Sequence, residues 1–228
     1  MLREIAARID RPRPGHPVRV AIDGRTASGK TTLADELAAI LAGQGRSVIR
    51  TSIDGFHRPR AERYARGRHS AGGHHHDARD LPAIVALLPA PLGPGGDRRS
   101  RTASVELDAD APIAQGPCLA AEDAILIVDG TFLQRPERRD HWDATLFVRT
   151  SAGTAEARGL GRDMDRLGGE AAARDLYARR YRPAYALYES LCQPEMHGDA
   201  IIDNDDLARP RLVLCPGGRP IESTDDFS

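Results

Sequence analysis

The stretch Gly24-Arg25-Thr26-Ala27-Ser28-Gly29-Lys30-Thr31-Thr32 carries the residue types that can hold a polyphosphate. Glycines at 24 and 29 permit backbone turns that a Cβ would hinder, so consecutive N–H groups can point at phosphate oxygens. Lys30 can reach the β- and γ-phosphates, and the Thr31 hydroxyl can bind Mg²⁺. Lys30 is also the one lysine of the chain, since every other residue among the 32 Lys and Arg is arginine. A compact ammonium and a planar guanidinium are not interchangeable, so its retention at this single position points to a specific task.

Two carboxylates fall where they could work with that loop. Asp129 closes the apolar run Ala124-Ile125-Leu126-Ile127-Val128 and is the candidate for orienting Mg²⁺, directly or through its water shell. Asp54 follows the strand-like Ser47–Ile53 and precedes Gly55-Phe56-His57. It could be a general base for a substrate hydroxyl, a second Mg²⁺ ligand, or a turn residue before Gly55. Arg158, Arg162 and Arg166 recur every four residues, ahead of Gly168-Gly169. Such a stripe beside a hinge suits a lid that closes over a transferring phosphoryl group. The other reading is a solvated Arg face paired with Asp163 and Asp165. His74-His75-His76 lacks the spacing of a zinc site and reads as a polar loop.

The elements that must position these groups follow from the pattern. Val18–Asp23 is a strand, the Gly/Lys loop follows, and Thr32–Leu41 continues as a helix ending near Gly43-Gln44-Gly45. Strands are expected at Ser47–Ile53, Ala124–Gly130, Thr145–Val148 and Ala200–Asp203, with Arg211–Leu214 as an edge. Parallel strands place ligands at their carboxyl ends, where Asp54 and Asp129 stand. Leu2, Ile5, Ala6 and Ile9 mark an amphipathic N-terminal helix, followed by a Pro-rich linker to residue 17. Asp80 is an N-cap for a helix with Leu81, Ile84, Val85 and Leu88 on its apolar face. Residues 58–76, polar and Arg-rich, are expected to be a mobile segment at the mouth of the site. Helices are expected at about 154–167 and 169–191, and residues 216–228 as a flexible tail.

Bulk properties narrow the classes. The net charge of −1 argues against a general nucleic-acid binder. No apolar run approaches the roughly 18 residues of a membrane span. The three cysteines, Cys118, Cys192 and Cys215, are too far apart for a metal knuckle or a disulfide framework. The expectation is a cytoplasmic protein with neither nucleic-acid nor membrane partners, and self-association is left open.

Taken together, the motifs resemble those of the uridine kinase / phosphoribulokinase group of P-loop kinases. The matching stretches are Gly24–Thr32, Asp54–His57, Asp77-Ala78-x-Asp80, Ile127–Gly130 and Arg158-x3-Arg162-Asp163. Tyr181-Arg182-Pro183-Ala184-Tyr185 and Asp199–Asn204 complete the set. The resemblance implies a three-layer α/β/α P-loop NTPase fold over 18–215, with a mostly parallel sheet and a small helical lid near 154–170. It also implies an ATP- and Mg²⁺-dependent transfer of the γ-phosphate to a hydroxyl of a small molecule. Asp54 would be the catalytic carboxylate, with Lys30, Arg162 and Arg166 holding charge, and with Thr31, Asp54 and Asp129 at the metal. His57, Tyr64, His75, Asp77 and Arg158 are the candidates to contact the acceptor. One departure concerns that acceptor. Gly73-His74-His75-His76 stands where uridine kinases carry a sugar-binding Asp, and Arg79 stands where an aromatic is usual. The alternative is an ATPase or nucleotide-switched regulator with no small acceptor.

Overall fold

The computed structural model describes residues 1–11 and 14–214, so part of the linker, Cys215 and the expected tail lie outside the described residues. In chain order the elements begin with α1 (Leu2–Asp10), β1 (Val18–Gly24), α2 (Lys30–Gly43) and β2 (Val48–Ser52). A 3₁₀ turn at Ile53–Phe56 leads to α3 (Arg60–Arg63), α4 (Ala71–His76) and α5 (Leu81–Leu87). Four two-residue strands come next: β3 (Arg99–Ser100), β4 (Val105–Glu106), β5 (Ala111–Pro112) and β6 (Cys118–Leu119). Then follow β7 (Ile125–Gly130), α6 (Pro136–Arg139), β8 (Ala144–Arg149), α7 (Ala152–Leu167) and α8 (Glu170–Leu176). A π-helical turn at Tyr177–Tyr181 joins α9 (Arg182–Cys192), before β9 (Ala200–Asp203) and β10 (Arg211–Leu214).

Six strands form one sheet in the order β10-β9-β8-β1-β7-β2. All neighbours are parallel except the edge pair β9–β10. From β1 the chain runs first toward β2 and β7, then to the other side through β8 and β9, so β1 is the switch point where such sheets bind ligands. Register sets the chemistry: Ile22 pairs with Asp129 across β1–β7, and Ser52 pairs with Asp129 across β7–β2. Asp129 therefore lies between the loop that starts at Gly24 and the carboxylate at position 54.

The period of two along each strand splits the core into two layers. Val20, Ile22, Ile125, Ile127, Leu146 and Val148 pack beneath α1 and α2, against Ile5, Ile9, Leu33, Leu37 and Leu41. Ala21, Leu126 and Val128 face the other side, against Ile53, Phe56, Ile84, Leu88 and Trp142. Each fully buried aliphatic side chain here contributes about 1.5–3 kcal/mol. A charge at Leu37, which has no exposure, would break the α2 side. The amphipathic reading of α1 holds, since Ile5, Ala6 and Ile9 are buried. The Asp80 cap is present as well, with Ala83 N–H donating to its Oδ1 at 3.0 Å.

Residues 58–76, read from the sequence as a mobile segment at the mouth of the site, hold more regular structure than their polar composition suggests. Most of the stretch is taken up by α3 and α4. Ser70 caps α4 by accepting from Gly73 N–H at 3.0 Å. His74 and His75 are then buried edge-on against Phe132, with ring centroids 5.5 and 4.9 Å away. The apolar ring set is what turns a polar-looking run into packed structure.

Candidate active site

Gly24–Thr31 leaves the end of β1 and runs into α2. Asp23, at the last turn of β1, is fully buried and anchors the loop by accepting from Gly24 N–H at 2.7 Å and from the Tyr188 hydroxyl. Burial pushes the Asp23 carboxyl pKa up, against those hydrogen bonds. Gly29 has φ +94°, and a Cβ there would collide with Asn204 Nδ2. Asn204 is close because its amide donates to Ser28 O at 2.7 Å, locking the loop to the end of β9. Arg25 stacks over Tyr185 at 4.3 Å and pairs with Glu189 at 2.9 Å.

Lys30 is the first residue of α2, and its Nζ donates to Arg25 O at 3.2 Å. Burial lowers its pKa, opposed by the charges of Asp129, Asp54 and Asp23. The next side chain, Thr31, donates to Asp129 Oδ2 at 2.7 Å. The other oxygen of Asp129 pairs with Arg50 Nη2 at 2.7 Å, and Arg50 also reaches Asp35 at 2.8 Å. Asp54 sits just past β2 with its side chain 63% exposed, and Arg79 Nη2 donates to its Oδ1 at 2.5 Å. Burial alone would raise the Asp54 pKa, but the Arg79 charge and then His57 bring it below the ordinary carboxylate range. His57 is held down to about 4, by burial first and then by Arg79. It is neutral at pH 7, and its Nδ1 sits 2.7 Å from Asp54 O. Since a carbonyl only accepts, Nδ1 carries the proton and Nε2 is left as an acceptor.

The helical hairpin α7–α8 supplies the remaining charge. Gly168 caps α7 at φ +90°, and α8 folds back so closely that a Cβ on Gly159 would run into the Tyr177 hydroxyl. Asp163, 4% exposed, is the hub. It accepts from Arg162 Nε and Nη2 at 2.8 and 2.9 Å, from Arg166 at 3.4 Å and from Tyr177 at 3.0 Å. Burial works to raise the Asp163 pKa, and these partners lower it below the ordinary value.

These groups line one cleft of about 390 Å³. Thr26, Ala27, Lys30, Thr31, Asp54 and Asp129 line it together with Arg162 and Arg166. Of the expected acceptor residues, His57 and Tyr64 line it and His75, Asp77 and Arg158 do not. His75 faces the Phe132–Tyr188 rings, and the neighbouring His74 takes the cleft wall instead. Asp77 pairs with Arg66 at 2.8 Å. Arg158 donates to Asn204 O at 2.9 Å and Asp205 O at 2.8 Å, tying α7 to the sheet. Thr32 is exposed beyond the loop and outside the cleft lining. The sequence does not single out Arg180 or Arg50, and the partners of Arg79 and Arg50 lie far away in the chain, with Asp54 25 positions from Arg79 and Asp129 79 positions from Arg50.

The donor set for Mg²⁺ is chemically coherent: Thr31 and Asp129 touch, and Asp54 lines the same cleft, so all the protein ligands are hard oxygens. Among the described residues no group of three His, Cys, Asp or Glu could hold a metal alone. Mg²⁺ itself takes one or two carboxylates and completes its shell with water and phosphate oxygens.

No protein-family model matches the chain, and no curated protein does. Solved structures do resemble it. A protein described as a possible uridine kinase, from Bacillus stearothermophilus, is similar with a TM-score of 0.69 and 22% identity, over 88% of this chain and 96% of that one. A protein provisionally described as a fructose transport system kinase, from a Silicibacter species, gives a TM-score of 0.70 and 24% identity, over 84% and 95%. The D-glycerate 3-kinase of Cryptococcus neoformans gives 0.61 and 13%, over 93% and 99%. At these identities the likeness speaks for the fold, a three-layer P-loop α/β/α arrangement with a mostly parallel sheet.

Proposed function

We propose that the chain is an ATP-dependent kinase that transfers the γ-phosphoryl group to a hydroxyl of a small molecule. The observation that carries this reading is the convergence of Lys30, Thr31, Asp129, Asp54 and the Arg162–Arg166 pair on one cleft. A nucleotide switch needs the first three, but it does not need a second carboxylate on the acceptor side of the phosphates. The order of motifs, which resembles the uridine kinase / phosphoribulokinase group, supports the same reading, as do the kinase descriptions of the structural neighbours.

The loop N–H groups and Lys30 hold the β- and γ-phosphates against the N-terminus of α2. Thr31 and Asp129 would hold Mg²⁺, which when bound offsets phosphate charge. Asp54 stays ionised and accepts a hydrogen bond from the attacking hydroxyl. As the new P–O bond forms and the β–γ bridge breaks, the hydroxyl proton passes to Asp54 and ADP leaves with the bridging oxygen. Transfer of this kind depends mainly on positioning and charge stabilisation, so a carboxylate of low pKa serves by orienting and accepting late. Arg162 and Arg166, aligned by Asp163, neutralise charge on the transferring group as α7 closes.

The test is a screen of hydroxyl compounds for stimulated ATP consumption, comparing the natural chain with Lys30→Ala. At least one compound should raise consumption in the natural chain and none in the variant. Consumption that responds to no metabolite but does respond to a protein partner would favour the nucleotide-switch alternative.

A further inference from the structure

The cleft is lined by eight cationic side chains and four carboxylates. Three of the carboxylates have partners, Asp54 in Arg79, Asp129 in Arg50 and Thr31, and Asp163 in Arg162 and Arg166, while Asp108 has no ion pair among the described residues. On the kinase reading, Lys30, Arg162 and Arg166 serve the triphosphate. Arg180, on the π-helical turn, lies beside Tyr64 and His74.

Arg180 is 7% exposed and has no carboxylate within ion-pair distance among the described residues. Its Nη1 donates to Arg68 O at 3.1 Å, its Nη2 lies 3.3 Å from His74 Nδ1, and its Nε has no partner. His74 is itself kept neutral, by burial first and then by the charges of Arg79 and Arg180. Tyr64 stands under the guanidinium, 5.2 Å from ring centroid to Cζ. A buried guanidinium cannot shed its charge, and without an anion it is costly. Arg60 and Arg68 line the same cleft, also without an ion pair among the described residues, and Arg68 O accepts from Arg180. Among the other buried arginines, Arg19 pairs with Asp143 at 2.7 Å and Arg63 with Asp110 at 3.2 Å, while Arg138, 1% exposed, also lacks an ion pair among the described residues but lies outside the cleft lining.

We propose that Arg180, with Tyr64 and the neighbouring Arg68, is a binding site for an anionic group, carboxylate or phosphate, on the acceptor molecule. The inference rests on the kinase reading only for the word acceptor; the anion site stands on the unpaired guanidinium. It implies that the accepted hydroxyl belongs to a hydroxy acid or a sugar phosphate, not to a neutral nucleoside or sugar. Uridine lacks such a group. The absence of a sugar-binding Asp in the 73–76 segment is then matched by a positive feature beside His74 of that segment.

Matched probes test this by calorimetry on the full chain with Mg²⁺ and ADP present: D-glycerate against glycerol, and ribose 5-phosphate against ribose. At least one charged member should bind about tenfold or more tightly than its neutral partner. Which pair shows the gap distinguishes carboxylate from phosphate. Arg180→Gln should abolish the gap and Arg180→Lys should keep part of it, with thermal unfolding confirming that both variants fold. Equal binding of charged and neutral members, no binding of any of the four, or a gap that survives Arg180→Gln overturns the proposal. An Arg180-dependent gap with no ATP consumption by any hydroxyl compound would instead retain the anion site and remove the kinase reading.

Discussion

Arg79 Nη2 and Asp54 Oδ1 meet at 2.5 Å, bringing together residues 25 apart in the chain at the mouth of the β2 strand. The pair is built by the antiparallel bridge between His57 and Arg79, which brings the start of α5 back over the 3₁₀ turn. It gives the cleft a carboxylate held in direction by an arginine, which the proposed function assigns to the acceptor hydroxyl.

Arg79→Gln should move the acid limb of activity. The Asp54 pKa lies below its ordinary 3.8 because the charge and hydrogen bond of Arg79, together with His57 and Lys30, outweigh the effect of burial. Without Arg79 burial is less opposed and the pKa rises, so Asp54 becomes protonated at a higher pH. His57, held to about 4 partly by the same charge, also rises. A profile of kcat/KM from about pH 4 to about pH 8 should lose activity at higher pH in the variant than in the natural chain. Superimposable acid limbs would contradict the pairing.

Asp163→Asn should loosen the lid and destabilise the fold. The carboxylate accepts from Arg162, Arg166 and Tyr177, and the amide can replace only part of this. The arginine side chains are more than half exposed, so the loss is modest, about 1–3 kcal/mol at neutral pH. The folded pKa is depressed, so the stabilisation is fully present above 3.8 and is lost as pH falls below it through the folded value. Urea unfolding at neutral pH should show the difference, and the gap should narrow only in the acid range. A gap that is equal at both would show that the charge is not the cause.

Gly29→Ala should impair nucleotide binding more than folding. The position combines φ +94° with an approach to Asn204 that leaves no room for a Cβ. Strain of this type costs about 1–3 kcal/mol, so ADP affinity should fall about tenfold or more by calorimetry. Unchanged affinity would mean that the loop has more freedom than its anchoring to Asn204 allows.

What could be read from the chain, and what could not, divides by distance along it. Lys30, Thr31, Asp54 and Asp129 follow from local patterns: a strand, then a glycine turn or a carboxylate, at the carboxyl end of a sheet. The helix caps at Asp80 and α1's buried face are equally local. The partners of these residues are not. Arg50 reaches Asp129 across 79 positions and Arg180 reaches His74 across 106, and no spacing rule marks either. In a chain whose cations are almost all arginine, composition cannot single out the few that matter. The helical stripe of Arg158, Arg162 and Arg166 shows the same limit. Periodicity places all three on one side of α7, while packing sends Arg158 to the β9 end and the other two to the cleft. The histidine run failed in the opposite sense. Its polarity suggested a loop, and the apolar rings that bury it come from Phe132 and α9.

The central claim is that Asp54 acts on the acceptor and not on nucleotide binding. It is tested by measuring ATP affinity and acceptor phosphorylation on the same preparations of the natural chain and Asp54→Asn. ATP affinity should stay within about threefold while phosphoryl transfer falls at least about 10²-fold. Transfer that continues at the natural rate in the variant, or a loss fully explained by weakened ATP binding, would contradict it.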